Sequence, residues 1–188
     1  MTNIMEIDRE RLFATIVPEE QDPTLAALRE LARSLGLHIH IGSLAIKVSP
    51  DKAANRSFLI DPAGDIVARY DKIHMFDVDL PNGEKYRESR NFAGGDTAVV
   101  ADLPWGKLGL TICYDMRFPQ LYRALAHAGA TGEPDRAPGA HDLGDVARGA
   151  ERELPVHVSA GHTRPRPGRH GEGVGLARPQ GRHGARRG

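Results

Sequence analysis

Residues 108–119 read Leu-Gly-Leu-Thr-Ile-Cys-Tyr-Asp-Met-Arg-Phe-Pro and carry the clearest structural pattern in the chain. The short apolar run 108–112 predicts a buried strand. Pro119 suits the first turn of a helix, and the apolar residues after it recur at helical spacing as far as Gly129. A strand, a tight turn that carries Cys113 and a helix are therefore expected in succession.

Helix and strand patterns also alternate upstream of this stretch. Apolar residues from Thr24 recur at helical spacing up to Leu35, and Gly36 is a typical residue to end that helix. A short helix is expected near residues 8–13, and an irregular segment over 74–95. The order of elements indicates a layered α/β or α+β domain. The expected strands cover residues 38–46, 57–61, 65–70 and 98–103, and the middle two form a hairpin around Pro62-Ala63-Gly64.

Composition divides the chain near residue 130. The sequence has 188 residues with 25 basic and 25 acidic side chains, so its formal net charge is zero. Every Phe, Tyr and Trp precedes residue 131, whereas residues 131–188 are rich in Arg, Gly and Pro. A segment of that composition buries too little apolar surface to offset its chain entropy. We expect a folded domain over residues 1–130 and a low-complexity, disordered tail over residues 131–188.

Two interpretations of the tail are open. Its arginine content is typical of a disordered basic segment that contacts nucleic acid or a partner protein. Alternatively, Arg, Gly, Pro and Ala have GC-rich codons, and the abrupt change in composition indicates out-of-frame translation after Ala130. The second interpretation is favoured, and with it no nucleic-acid partner is expected.

Several classes of protein do not fit this sequence. The apolar runs are too short to span a membrane, and the first residues lack the basic and apolar regions of a signal peptide. The single cysteine cannot form an internal disulfide, which favours a cytoplasmic location. Residues 1–130 contain no metal-ligand spacing, phosphate-binding loop or dinucleotide fingerprint, so no metal and no cofactor is expected.

Cys113 is the first candidate for chemistry. A thiol on a turn between a strand and a helix lies at the edge of a sheet, where the backbone N–H groups after it can stabilise an oxyanion. The opposing interpretation is a buried structural cysteine, which is the common environment of a lone Cys. The residue types alone leave both interpretations open.

Lys72, His74 and Glu88 are further candidates. Lys72 follows the strand that ends at Tyr70, where its ammonium group could stabilise an oxyanion or simply face the solvent. His74 could act as a base, although a lone histidine is more often structural. Glu88 lies 16 residues after Lys72 on the irregular segment and could orient that lysine or be a surface acid.

Residues 40–130 resemble the nitrilase, or carbon–nitrogen hydrolase, superfamily. Within it the chain looks like the branch that contains omega-amidase and deaminated-glutathione amidase. The Lys-Ile-His segment and the Cys-Tyr-Asp-x-Arg-Phe-Pro segment occur in order, with Lys72 and Cys113 separated by 41 positions. The matching segments are Asn55-Arg56-Ser57, residues 69–79, Tyr86-Arg87-Glu88-Ser89 and residues 109–119.

This resemblance implies a fold and a mechanism. The fold is a partial αββα sandwich of the carbon–nitrogen hydrolase type, and the reaction is hydrolysis of a small-molecule amide of the omega-amide type through a cysteine thioester. Cys113 is the implied nucleophile, Lys72 and the backbone N–H of Tyr114 are the implied oxyanion donors, and Glu88 is the implied supporting carboxylate. The resemblance implies an amide or nitrile substrate, no cofactor, and a homodimer in a full-length enzyme.

The sequence also departs from the family. The family's general-base glutamate lies in a Pro-Glu-Met-Thr-Asn-like segment, and this chain begins with Met1-Thr2-Asn3. Glu19 follows Pro18 and imitates that motif without its Thr-Asn context. We therefore expect a truncated domain over residues 1–130, with little activity because the base glutamate is missing. The alternative is a non-catalytic fragment or pseudoenzyme whose basic tail binds nucleic acid or a partner. Nitrilase, amidase and carbamoylase reactions would all use Lys72 and Cys113 alike.

Overall fold

The computed structural model of the chain describes residues 4, 6 and 8–131, together with the backbone of Val156–Ser159. The expected disordered tail over residues 131–188 therefore lies almost entirely outside the described residues. No helix in the described part is both long and apolar enough to cross a membrane.

Three α-helices form where the sequence predicts them. Helix α1 covers Arg9–Thr15, α2 covers Pro23–Leu35 and α3 covers Pro119–His127. The Asp22 carboxylate accepts a hydrogen bond from a backbone N–H in the first turn of α2, which satisfies one donor that the helix itself cannot. Gly36 ends α2 in the left-handed conformation, with a φ of 64°. Local capping therefore sets both ends of α2.

The strands form two main sheets and one small hairpin. The strands of the described residues are β1 (Ile39–Lys47), β2 (Ala53–Ile60), β3 (Ile66–Asp71), β4 (Asp77–Asp79), β5 (Lys85–Arg87), β6 (Phe92–Ala93), β7 (Ala98–Leu103), β8 (Gly106–Leu110) and β9 (Val156–Ser159). In the first sheet β1, β2 and β3 are antiparallel neighbours, and β6 pairs with the start of β2 in parallel. In the second sheet β7 lies between antiparallel β8 and parallel β9, while β4 and β5 form a separate hairpin.

Strand β2 is buried on both faces because it lies in an inner layer. Phe58 and Ile60 point to one side and pack with Leu25 of α2. Leu59 points to the opposite side and packs with Val99 of β7 in the second sheet. This alternation follows from the two-residue period of a strand, and it places α2, the first sheet and the second sheet in successive layers.

Strand β7 shows the same alternation in the second sheet. Val99 faces the first sheet, whereas Ala98 and Val100 face α3 and pack with Leu121 and Leu125. Helix α3 therefore covers the outer face of the second sheet. The layer order helix, sheet, sheet, helix confirms the expected αββα arrangement.

The structure differs from the sequence prediction at three places. Strand β8 covers Gly106–Leu110, so it begins and ends two residues earlier than the predicted run 108–112, and the expected turn at Cys113 is a short 3₁₀ helix over Cys113–Arg117. The segment expected to be irregular contains the β4–β5 hairpin. The backbone of Val156–Ser159 pairs with β7 from Ala98 to Ala101, although no periodic pattern in that part of the sequence predicts a strand.

Candidate active site

The fold brings the three predicted side chains Lys72, Glu88 and Cys113 into one open cleft of about 1160 Å³. Lys72 directly follows β3, Glu88 begins a short 3₁₀ helix after β5, and Cys113 begins the 3₁₀ helix that follows β8. Three separate chain segments thus meet at the ends of two sheets. Their side chains are neighbours through tertiary structure, since they are far apart in sequence.

Lys72 is buried and paired with Glu88. Its side chain is only 3% exposed, and its Nζ lies 2.5 Å from Glu88 Oε2. The same carboxylate oxygen accepts a hydrogen bond from the backbone N–H of Phe76 at 2.7 Å, and the other oxygen accepts one from Asn55 Nδ2 at 3.3 Å. The solvent-facing interpretation of Lys72 is therefore wrong. Glu88 holds both the lysine and the chain that follows it.

Cys113 is exposed and has a strained backbone. Its φ of 48° is the single positive value among non-glycine residues in the described part of the chain. Such a conformation is costly for a residue with a Cβ and is found most often where function requires it. The alternative interpretation of Cys113 as a buried structural cysteine is wrong. Tyr114 follows in the same turn, and its ring packs edge-on against Phe76 and Phe118.

Asp115 is a residue that sequence analysis did not identify. It is completely buried, and its carboxylate accepts hydrogen bonds from Tyr70 Oη at 2.6 Å and from the backbone N–H of Ile112 at 3.0 Å. His74 contributes two more contacts, from its backbone N–H at 3.0 Å and from Nδ1 at 2.7 Å. The His74 ring also stacks on Phe118. His74 is therefore a partner of Asp115, as the structural interpretation expects.

Tyr70 keeps its proton in this environment. Burial, followed by the negative charge of Asp115, raises the pKa of the Tyr70 phenol well above its usual value. The phenol therefore stays protonated at neutral pH and donates to Asp115. A local sequence pattern could not reveal this contact, because Tyr70 and Asp115 are 45 residues apart.

Glu19 lies outside the cleft. Its carboxylate is 2.9 Å from Arg56 and 2.7 Å from Arg69. Burial alone would raise the pKa of Glu19, but the hydrogen bonds and charges of the two arginines outweigh burial and lower it. Within the described part of the chain, the acids that join Glu88 along the cleft are Glu6, Asp8 and Glu10. Sequence analysis identified none of these three.

The described residues offer no metal centre. No group of three or more His, Cys, Asp or Glu side chains in that part of the chain is arranged to hold a metal ion. The three predicted residues supply a thiol, a buried ammonium and a fixed carboxylate to the cleft. These are the groups of nucleophilic attack and oxyanion stabilisation.

Two curated relatives are similar to this chain. A deaminated glutathione amidase of Yersinia enterocolitica is 47% identical over 111 residues, which is 57% of this chain and 39% of the relative. An omega-amidase of Saccharomyces cerevisiae is 34% identical over 126 residues, which is 65% of this chain and 43% of the relative. The chain thus spans about two fifths of the length of these relatives.

A solved structure shares the fold. It is a mutant of the amidase from Nesterenkonia sp. AN1, which shows Michael addition of acrylamide at the active-site cysteine. It is 27% identical, has a TM-score of 0.54 and covers 66% of this chain and 46% of the amidase. Residues 4–131 match the carbon-nitrogen hydrolase family. The match includes every described element of the cleft, and the chain belongs to the carbon-nitrogen hydrolase family.

Proposed function

We propose that this protein carries the nucleophile and oxyanion half of a cysteine amidase that acts on small-molecule amides. The observation that carries the proposal is the meeting of Lys72, Glu88 and an exposed, strained Cys113 in one cleft. The names of the amidase relatives support an amide as the substrate. A nitrile is the alternative that the same three side chains would accept.

In the proposed reaction the Cys113 thiol attacks the amide carbonyl carbon. The new S–C bond forms as the carbonyl oxygen takes negative charge, and the Lys72 ammonium with the backbone N–H of Tyr114 stabilises that oxyanion. The thiol proton moves to the amide nitrogen, the C–N bond breaks and ammonia leaves. Water then adds to the thioester, which releases the carboxylic acid and restores the thiol.

Glu88 supports this reaction by holding Lys72. Its carboxylate is fixed by Asn55 and by the backbone N–H of Phe76, so it anchors the ammonium at a defined place. Lys72 directs one of its three N–H groups at Glu88, and the ammonium has further donors for an oxyanion. The role of Glu88 is thus positioning, not proton transfer.

Turnover needs a general base as well as a nucleophile. Glu88 is held by Lys72 and Phe76, and Glu19 is held by two arginines, so neither takes that role. The other acids of the described cleft are Glu6, Asp8 and Glu10, and none of them stands in a Pro-Glu-Met-Thr-Asn-like segment. A missing base lowers the rate by about two to four orders of magnitude. We therefore propose that the 188-residue chain forms a covalent adduct at Cys113 but hydrolyses amides very slowly.

The cleft also suggests which amides bind. Basic side chains of Arg9, Lys85, Arg87 and Arg90 line it together with the ring of Tyr86, and the acids Glu6, Asp8 and Glu10 lie near the start of α1. Guanidinium groups bind carboxylates well, so a small amide that also carries a carboxylate fits this lining.

We further propose a homodimer in a full-length enzyme, which sedimentation of such a protein would test.

Alkylation by acrylamide tests the proposal without requiring turnover. The Cys113 sulfur would bond to the terminal carbon of acrylamide, and the thiol proton would move to the adjacent carbon. Because the chain has one cysteine, the mass gain of one acrylamide reports Cys113 alone. We expect Cys113 to react faster than a short cysteine peptide, and Cys113→Ser to remain unmodified.

The matched variants are Lys72→Met and Lys107→Met. Loss of the oxyanion donor should slow the acrylamide reaction about 100-fold. Lys107 pairs with Asp102 at the surface, 3.4 Å away, and its loss should leave the rate unchanged. A wild-type rate equal to that of the peptide, or equal rates in the two lysine variants, would contradict the proposal. Circular dichroism of each variant checks that it folds.

A further inference from the structure

The buried carboxylate of Asp115 connects the two chain segments that carry the reactive side chains. Its contacts reach Ile112 on one segment and both Tyr70 and His74 on the other. Cys113 lies between Ile112 and Asp115, and Lys72 lies between Tyr70 and His74. Each reactive residue therefore lies in the chain between residues that are tied together by the Asp115 carboxylate.

Cys113 needs such a support because its backbone is strained. A residue other than glycine keeps a positive φ only when its surroundings over-determine the conformation. The hydrogen bond from Ile112 N to Asp115 Oδ2 fixes the residue before Cys113, and the backbone bond from Asp115 N to Ile112 O closes the turn around it. The turn is held at both sides of the thiol.

Asp115 itself cannot reach a substrate. It is 0% exposed, and it accepts four hydrogen bonds from groups of the chain. Asp115 can therefore affect the reaction only through the groups that donate hydrogen bonds to it. Tyr70 also joins it to the core between the two sheets, where the Tyr70 ring packs with Ile112 and Leu110.

We propose that Asp115, assisted by Tyr70 and His74, is the positioning residue that sets the Cys113 thiol against the Lys72 ammonium. This inference rests on the proposed amidase chemistry. His74 then serves as a donor to Asp115. The two reactive groups keep their separation because one rigid acceptor anchors both segments, and an error of about 1 Å in such a separation lowers rates steeply.

The test compares two reagents on the full 188-residue chain. Acrylamide reacts faster when the thiol lies beside an oxyanion donor, whereas the rate with 4,4′-dithiodipyridine depends on the accessibility of the thiol and not on such a donor. Asp115→Asn should lower the ratio of the acrylamide rate to the dithiodipyridine rate about tenfold or more. A general loosening of the protein would change both rates together and leave the ratio constant.

Asp61→Asn is the matched control. Asp61 is also a buried carboxylate, and its Oδ1 accepts backbone hydrogen bonds from Ala63 and Asp65 in the β2–β3 turn. It contacts neither reactive segment. The Asp61 variant should therefore lose stability as Asp115→Asn does but keep the wild-type ratio of rates.

Two substitutions of His74 separate donation from packing, and they also serve if Asp115→Asn fails to fold. His74→Asn offers an amide N–H near the place of Nδ1 and should keep most of the ratio. His74→Leu removes the donor while it loses the same stacking on Phe118, and it should lower the ratio. Equal ratios in these two variants would overturn the inference.

Hydrogen exchange at the Ile112 amide distinguishes this inference from the proposed function. Asp115→Asn should quicken that exchange, since the asparagine side chain has one acceptor oxygen for the four donors that Asp115 binds with two. A wild-type chain without any preference for acrylamide would contradict the proposed function, and the exchange rate would then decide the inference alone. Unchanged exchange, or a wild-type ratio in folded Asp115→Asn, would overturn the positioning role.

Discussion

Two charged clusters lie on either side of the end of β3, and only the second of them lines the candidate active site. In the first, Arg56 binds Asp71 through two nitrogens at 2.7 and 2.8 Å and Glu19 through the third at 2.9 Å. In the second, Lys72 has one carboxylate partner, Glu88. The planar guanidinium uses its donors in internal pairs, whereas the ammonium keeps donors for a ligand.

The two clusters also differ in the residues that surround them. The Lys72 cluster lines one cleft with an exposed thiol on a strained turn, and Arg56 and Asp71 line another cavity with Arg69, Asp96 and Thr97. A buried ion pair by itself is therefore weak evidence of a functional site. Stronger evidence of a functional site is a nucleophile in the same cleft as a cation that has hydrogen-bond donors left for a ligand.

The largest expected effect is on stability, from Arg56→Met. It leaves Asp71 and one side of Glu19 without a partner in a partly buried place, which should lower the free energy of unfolding by about 3 kcal/mol. Urea unfolding measures this loss. Lys107→Met, which breaks an exposed pair, should change the same quantity by less than about 1 kcal/mol. Similar losses in the two variants would mean that the Arg56 cluster is not structural.

Gly95→Ala should disturb both clusters at once. A Cβ at Gly95 would lie 2.4 Å from the backbone oxygen of Asp71, and the Gly95 N–H donates to the backbone oxygen of Lys72. The clash should cost about 1–3 kcal/mol and also slow acrylamide addition at Cys113. Gly42→Ala, where a Cβ meets nothing within 4 Å, should do neither. A Gly95→Ala variant that reacts with acrylamide as fast as the wild type would show that the two clusters are independent.

Glu88→Gln should affect reactivity more than stability. It removes the charge that anchors Lys72, and the loss of one charge-assisted hydrogen bond should slow acrylamide addition about tenfold. The intact-mass assay measures that rate. Glu84→Gln is the control, because Glu84 lies in the exposed β4–β5 turn and does not line the cleft. Its rate of acrylamide addition should equal that of the wild type. A Glu88→Gln variant as fast as the wild type would remove Glu88 from the proposed site.

The smallest expected effect is the pH dependence that Glu19 contributes. The folded-state pKa of Glu19 is lowered from its ordinary 4.5, so its stabilising contribution is present above pH 4.5 and is lost as pH falls through the lowered value. Between pH 6 and pH 3 the wild type should lose more stability than Glu19→Gln. Urea midpoints at several pH values measure this difference, and equal losses would contradict the pairing with Arg56 and Arg69.

Local patterns in the sequence predicted much of the fold. Helix α2 followed from its apolar period and from Gly36, and the β2–β3 hairpin followed from its turn residues. The grouping of Lys72, Glu88 and Cys113 was also expected, through the resemblance to the carbon–nitrogen hydrolase superfamily. The helix and the hairpin depend on residues close in sequence, and the site residues lie in segments that resemble those of a known family.

The remaining features depend on contacts between distant residues. Asp115 was not identified because its donors Tyr70 and His74 lie more than 40 residues away. The backbone strand Val156–Ser159 pairs in parallel with β7 across a long connection, and parallel pairing leaves no local turn signal. The strain at Cys113 was also hidden, since no glycine marks its positive φ.

The alternation along β7 determines where insertions and deletions are tolerated. Val99 faces one layer and Val100 the other, so removal of a single residue before this strand would exchange its two faces. Both neighbouring layers would then meet the wrong side chains. The exposed turn between β4 and β5, by contrast, joins two strands that pair with each other outside the two main sheets, so a change in its length should disturb neither sheet. Variation in length among related proteins should therefore occur in that hairpin, on the rim of the cleft, and be absent from β7.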